Sequence, residues 1–338
     1  MMTMMRISLR PAVVVAAGVL VLAGCGSAIP SAGKSVVQAD PAAVVAAAAN
    51  ADCVDGKSPV ASLDPGTITT NPSSWRDTST MAKVRKSGRL EVATSGDVRL
   101  WGARNPENGH LEGFDIDVLK RIAAAIGPDV KLDYKVVNYA GRLPALNDGS
   151  VQLVADQMTI NCDRWFGGSS TNNQFINFST AYYQAGQKIL VRRDSKVEDV
   201  DGLTDDDKVC VTASSTNVAN IEKKVAADQV VQVNDLGECL VKFQEGEVTA
   251  ITGDDTVLAG FSAQDPYAKV VGTAFTEEPY GLGTAPNDVD FTRFVNYVLQ
   301  DMRKDGTLAA LTNKYMKGTG VLPAVPKAVY GRDLEKRE

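Results

Sequence analysis

From about residue 78 onward, short apolar runs alternate with stretches whose apolar residues recur every three or four positions. The first kind predicts strands and the second predicts helices. A strand is expected over 90–94, after a turn at Gly88. Asp115 is placed as the cap of a helix with Ile116, Leu119, Ile122, Ala123 and Ile126 on one face, stopped by Gly127-Pro128. Strands over 132–137 and 151–155 flank a short helix over 142–147. A second set follows, with strands over 188–191, 209–212, 230–233 and 249–252 and helices over 218–227 and 236–243. Helices over 290–304 and 307–316 close the pattern. Strands alternating with helices predict a mostly parallel sheet with covered faces, and the two sets predict two α/β domains.

The front of the chain follows another rule. Arg6 and Arg10 precede an apolar stretch over 11–23 that falls short of the roughly 20 residues a membrane-spanning helix needs. The tetrapeptide Leu22-Ala23-Gly24-Cys25 resembles a bacterial lipobox. That resemblance implies removal of a signal peptide over 1–24 and a diacylglycerol on Cys25, which anchors the chain to the outer face of the cell membrane. Residues 25–77 are rich in Gly, Ser, Ala and Pro, with Pro59, Pro65 and Pro72 interrupting regular structure, and are expected to form a tether. Residues 321–338 are expected to be a C-terminal tail.

Composition narrows the chemistry. The 338 residues carry a net charge of −6 without a basic cluster, so no nucleic-acid footprint is present. A single His, His110 at an expected hairpin tip, argues against zinc sites and against Ser-His-Asp or Cys-His catalysis. No cofactor or metal is implied. Besides Cys25, four cysteines remain, an even number in an exported chain, which predicts two disulfides. Cys210 lies in a strand-like run and Cys239 in a nearby helical run, so these two are paired and Cys53 is left with Cys162.

Several short motifs recur in a fixed order over about 83–317. They are Gly113-Phe114-Asp115-Ile116-Asp117, Arg142-Leu143-Pro144-Ala145-Leu146-Asn147, Gly149 to Val154, Met158-Thr159-Ile160, Phe178 to Tyr183, Ser214-Ser215-Thr216 and Asp305-Gly306-Thr307-Leu308. In this order and spacing they resemble the family 3 extracellular solute-binding proteins, the amino-acid receptors of ABC importers. The flavour is similar to actinobacterial glutamate/glutamine-binding lipoproteins. The resemblance implies a two-lobed α/β periplasmic-binding-protein fold of type II, with two hinge-crossing segments and a ligand in the interlobe cleft. Lobe 1 would comprise 78–184 plus 274–320, and lobe 2 would comprise 185–273.

An amino-acid zwitterion in a closed cleft needs both of its charges met. The resemblance places Arg164 and Thr159 on the carboxylate and a backbone acceptor at Gln157 on the amino group. An acidic ligand for the ammonium falls at Asp255, the better match, or at Asp254. Ser214, Ser215 and Thr216 precede a helix, where hydroxyls and free N–H groups face an anion. Trp101, Arg99 and Arg104 occupy the loop that reads the ligand's side chain, and favour an acidic or amide ligand. Tyr182 and Tyr280 are assigned to hinge and core packing.

The reading that follows is a monomeric, non-enzymatic lipoprotein that binds Asp, Glu, Asn or Gln and delivers it to an ABC permease. A second reading makes the same cleft a sensor that signals to a transmembrane receptor. A third, a dehydratase-like enzyme on this fold, would need a positioned acid or base at the cleft, where Asp254 and Asp255 are the close acidic pair expected.

Overall fold

The computed structural model describes residues 52–321 and 323–334, so the signal segment, Cys25 and the front of the expected tether lie outside the described residues. Helix α1 (Thr80–Ser87) is capped by the Ser79 side chain and ends at Gly88, whose φ of 71° is left-handed. It leads into β1 (Arg89–Thr94), a strand exposed at its start and buried toward its end. The loop expected next is a small antiparallel meander of β2 (Asp97–Val98), β3 (Gly102–Arg104) and β4 (Leu111–Glu112). His110 is exposed beside it.

Helix α2 (Phe114–Ile126) follows, with Ile116, Leu119, Ile122, Ala123 and Ile126 buried as their spacing predicts. Its start differs from expectation. The cap residue is Gly113 at φ 137°, where a Cβ would stand 2.1 Å from the Trp101 carbonyl oxygen, so glycine is required. Asp115 is the second residue of the helix and is fully buried, because donors draw it inward: the Tyr182 hydroxyl at 2.6 Å and the Gln157 side-chain amide at 2.7 Å.

The first lobe continues through β5 (Lys131–Val136), α3 (Arg142–Asn147), β6 (Leu153–Val154), α4 (Cys162–Phe166) and β7 (Asn177–Phe178). Strand β8 (Tyr183–Ala185) then leads to the second lobe, built from β9 (Gln187–Arg192), β10 (Val209–Thr212), α5 (Thr216–Ile221), β11 (Val230–Val233), α6 (Leu236–Glu245), β12 (Ala250–Asp254), α7 (Asp255–Ser262) and β13 (Ala268–Val271). The chain returns through β14 (Glu278–Tyr280), which pairs antiparallel with β8, and completes lobe 1 with β15 (Gly283–Thr284), α8 (Val289–Lys304) and α9 (Thr307–Met316).

The lobe 1 sheet has the order β5-β1-β6-β15-β7 and the lobe 2 sheet β11-β10-β12-β9-β13. In each, three strands are joined by parallel pairings and the other two pairings are antiparallel, so one strand, β15 or β9, runs against the other four. The expected helix over 218–227 is shorter and lies earlier, closed by turns onto the Ile221 carbonyl.

The flanks depart furthest from expectation. From Cys53 the presumed tether is part of the folded body. Ala61, Leu63, Ile68 and Trp75 are buried, and Trp75 meets Phe294 edge-on at 5.6 Å. Asn296 donates to the Ser62 hydroxyl and the Leu63 carbonyl, at 2.8 and 2.7 Å. Prolines forbid regular elements here, but they do not prevent an extended segment from packing. The presumed tail is fixed as well. Tyr330 bridges to Ser62, and the Arg332 guanidinium lies 4.3 Å over the Trp165 ring and pairs with Asp55 at 2.6 Å. Disulfides join Cys53 to Cys162 and Cys210 to Cys239.

Candidate functional site

The lobes enclose a cavity of about 510 Å³. Lobe 1 contributes Arg142, Thr159 and Arg164, lobe 2 contributes Ser214, Ser215 and Thr216, and the returning segment contributes Thr276 and Glu278.

Arg164 is set by the short helix that carries it. The Asn161 side chain caps α4 by accepting the Arg164 backbone N–H at 2.9 Å. The buried guanidinium donates from Nη1 to the Thr159 carbonyl at 2.7 Å and from Nη2 to the Ser214 carbonyl at 3.4 Å. Burial, and then the charge of Arg142, pushes its pKa down to about 9. Arg142 is also buried, and donates to the carbonyls of Tyr139 (3.1 Å), Asp156 (3.0 Å) and Ser214 (3.3 Å). Its guanidinium carbon lies 3.9 Å from the Tyr139 ring centre. Among the described residues neither guanidinium forms an ion pair. Buried cations without an acidic partner are costly, so this wall is built to receive an anion.

The lobe 2 wall is made of carbonyl and hydroxyl groups. Ser214 is left-handed, with φ 61°, and turns its carbonyl toward both arginines. The Ser215 hydroxyl is engaged locally, donating to the Thr212 carbonyl at 2.6 Å. Thr159 and Thr216, from opposite lobes, each donate at 2.7 Å to Glu278 Oε2. Thr276 at 2.7 Å and Asn220 at 3.3 Å donate to Oε1. Glu278 therefore ties both lobes to the hinge strand.

Neither Asp254 nor Asp255 lines this cavity. Asp254 ends β12, accepts the Tyr280 hydroxyl at 2.6 Å and is also hydrogen-bonded by the Asn217 side chain. Burial, and then the charge of Glu278, holds its carboxyl well above the usual range. Asp255 instead turns to the hinge, where it accepts the Gly186 amide at 3.4 Å, and burial lifts its pKa to about 6.

Four residues expected at the ligand lie elsewhere. Gln157, expected to offer a backbone acceptor, does not line the cavity; its φ of 42° is left-handed and its side chain donates to Asp115. Trp101 is completely buried in an aromatic cluster, stacked on Phe114 at 4.8 Å with Tyr183 and Tyr280 edge-on. Arg99 is exposed, with its backbone against Gly260. Arg104 is exposed beside a separate cavity of about 420 Å³ and donates to the Gly109 carbonyl at 2.8 Å. Sequence reasoning missed Arg142 and Glu278. Arg142 stood in a quoted motif, but only as part of a helix.

The sequence profile of the bacterial extracellular solute-binding proteins, family 3, matches residues 90–318. A glutamine-binding protein of Geobacillus stearothermophilus is 34% identical over 217 residues, covering 64% of this chain and 80% of the relative. The ABC transporter glutamine-binding protein GlnH of Bacillus subtilis is 30% identical over 239 residues, covering 70% and 85%. Among solved structures, an ancestral arginine-binding protein bound to glutamine superposes with a TM-score of 0.61 at 31% identity, covering 68% of this chain and 97% of that one. The shared architecture is the type II periplasmic-binding fold.

Proposed function

As the chain belongs to the bacterial extracellular solute-binding proteins of family 3 and so acts outside the cytoplasm, we propose that it captures a small polar or acidic amino acid between its lobes and delivers it to an ABC importer. The observation that carries the reading is the buried Arg164 guanidinium, which faces the cavity without an acidic partner. It takes the ligand's α-carboxylate, a planar fork meeting a planar anion. Thr159 and Thr216 lie beside it, their hydroxyls donated to Glu278. The α-ammonium is assigned to Asp254 at the end of β12, which lines a small adjoining pocket with Asn217. The relatives' names support glutamine or a close analogue as the ligand class. Lipidation at Cys25 keeps the receptor beside its permease. No step of this cycle makes or breaks a bond, and closure is a hinge motion about β8 and β14.

Calorimetric titration of the purified protein with each of the twenty amino acids tests the reading. A small set of polar or acidic ligands is expected to bind, and Arg164→Ala is expected to lose more than about thirtyfold for all of them. Retained binding in Arg164→Ala overturns this reading of the site.

A further inference from the structure

Parting the lobes breaks the bonds that cross between them, and these differ in strength. Arg142 and Arg164 reach the Ser214 carbonyl only at 3.3 and 3.4 Å, stretched for hydrogen bonds. A shorter link runs through the buried Glu278 carboxylate, which accepts from four side chains. Two of the four stay with it however the lobes move. Thr276 is two residues away on the same segment. Thr159 is fixed to the strand of Glu278 from both sides: the Ile160 amide donates to the Pro279 carbonyl at 2.8 Å, and the Gly281 amide donates to the Met158 carbonyl at 3.0 Å. The other two donors, Thr216 at 2.7 Å and Asn220 at 3.3 Å, sit on α5 and leave with lobe 2. The Thr159 and Thr216 hydroxyls lie 3.4 Å apart, so the lobes meet at one oxygen, Glu278 Oε2. Among the described residues Glu278 forms no ion pair, so its buried charge depends on these donors.

We propose that Glu278 is a positioning residue that latches lobe 2 to the hinge strand: its grip on Thr216 holds the cleft near its closed geometry before a ligand enters and prolongs the ligand's stay. The inference rests on the amino-acid reading of the cavity and deepens it. A bond that favours the closed lobes with or without ligand lowers the cost of closure that binding must otherwise meet, and affinity gains by that factor. The gain falls on dissociation, because a ligand leaves only when the lobes part.

The experiment measures the wild type, Thr216→Val, Thr216→Ser and Glu278→Ala by small-angle X-ray scattering, first without ligand and then with L-glutamine or L-glutamate. Stopped flow follows the release of each amino acid, and a thermal melt shows which variants are folded. Valine keeps the shape of threonine and removes the hydroxyl. Without ligand, Thr216→Val and Glu278→Ala are expected to have a larger radius of gyration than the wild type, whereas Thr216→Ser, which keeps the hydroxyl, should have the wild-type radius. Release from Thr216→Val should be about tenfold faster, with the association rate changed by less than about threefold. Equal ligand-free radii for the wild type and whichever of Thr216→Val and Glu278→Ala is folded overturn the proposal, and confine the Thr216 hydroxyl to local structure or to the ligand. Failure of the underlying reading looks different: no amino acid binds the wild type, while the ligand-free radii still decide whether the latch holds.

Discussion

The two walls of the cleft solve different problems. Lobe 1 presents fixed cations, Arg142 and Arg164, whereas lobe 2 presents the Ser214 carbonyl and hydroxyl groups. The supports differ in the same way. Arg164 sits on a five-residue helix that could not hold a shape alone. Both flanks of the chain brace it: Cys53 bridges to Cys162 at its first residue, Trp165 donates to the Pro59 carbonyl at 2.8 Å, and Arg332 lies over the Trp165 ring. These flanking residues lie outside the stretch of 90–318 that matches the family. The lobe 2 loop needs no such help, because Cys210–Cys239 and the apolar faces of β10 and α6 hold it from within the lobe. A charged group must be held still to recognise charge well, so the bracing falls on the wall with the guanidinium groups.

The comparison breaks most sharply at Arg332. Arg332→Ala leaves Asp55 buried and unpaired, and is expected to cost about 3–5 kcal/mol in denaturant unfolding. Ligand affinity should fall as well at temperatures where the variant stays folded. Next come the disulfides. On the chain-entropy account each stabilises by roughly 3–5 kcal/mol, more for Cys53–Cys162 with its separation of 109 residues than for Cys210–Cys239 with 29. Replacing each pair by serines should lower the melting temperature in both cases but weaken ligand binding only for the first. Equal effects on binding would erase the distinction between the walls.

Smaller effects come from protons. Burial lifts Asp115 to about 6 and Asp156 to about 7, against about 4 in the unfolded chain. The folded state therefore binds more protons over that window. The stability this contributes is complete below about pH 4 and is lost as the pH rises through about 7. Melting temperature without ligand should decline over that interval, and Asp156→Asn should flatten the decline. The smallest effect concerns Asp97, whose carboxylate in lobe 1 accepts the Gly237 amide at the start of α6 in lobe 2, at 3.0 Å. Asp97→Ala should remove about 1 kcal/mol from the closed form, the value of a helix cap, read as an affinity several-fold weaker.

Helix α2, strand β10 and the alternation of both lobes were legible because periodicity survives without knowledge of contacts. The flanks were not. Residues 53–75 have no period, and what holds them is remote: Cys162, Asn296 and Arg332. Asp254 and Asp255 are neighbours, and at the end of a strand neighbours face opposite ways, so a shift of one residue decides between the Tyr280 hydroxyl and the Gly186 amide. Trp101 was expected at the ligand because of its place in the loop, yet the rings of Phe114, Tyr183 and Tyr280 claim it. Arg142 becomes informative only when residues 142, 164 and 214 are seen to meet at one oxygen.

The strand order also sets a timetable for folding. Every strand of the lobe 2 sheet lies between residues 187 and 271, and its disulfide closes within that span. Lobe 1 has to wait. Its sheet places β15 between β6 and β7, so until residues 283 and 284 arrive two early strands lack their common neighbour. Cys162, Trp165 and Phe178 belong to that unfinished half, and Arg332 reaches them only at the end of the chain. A chain emerging from its N-terminus into an oxidising compartment can thus complete its middle before its beginning, and the wall that carries the two arginines is the last part to set.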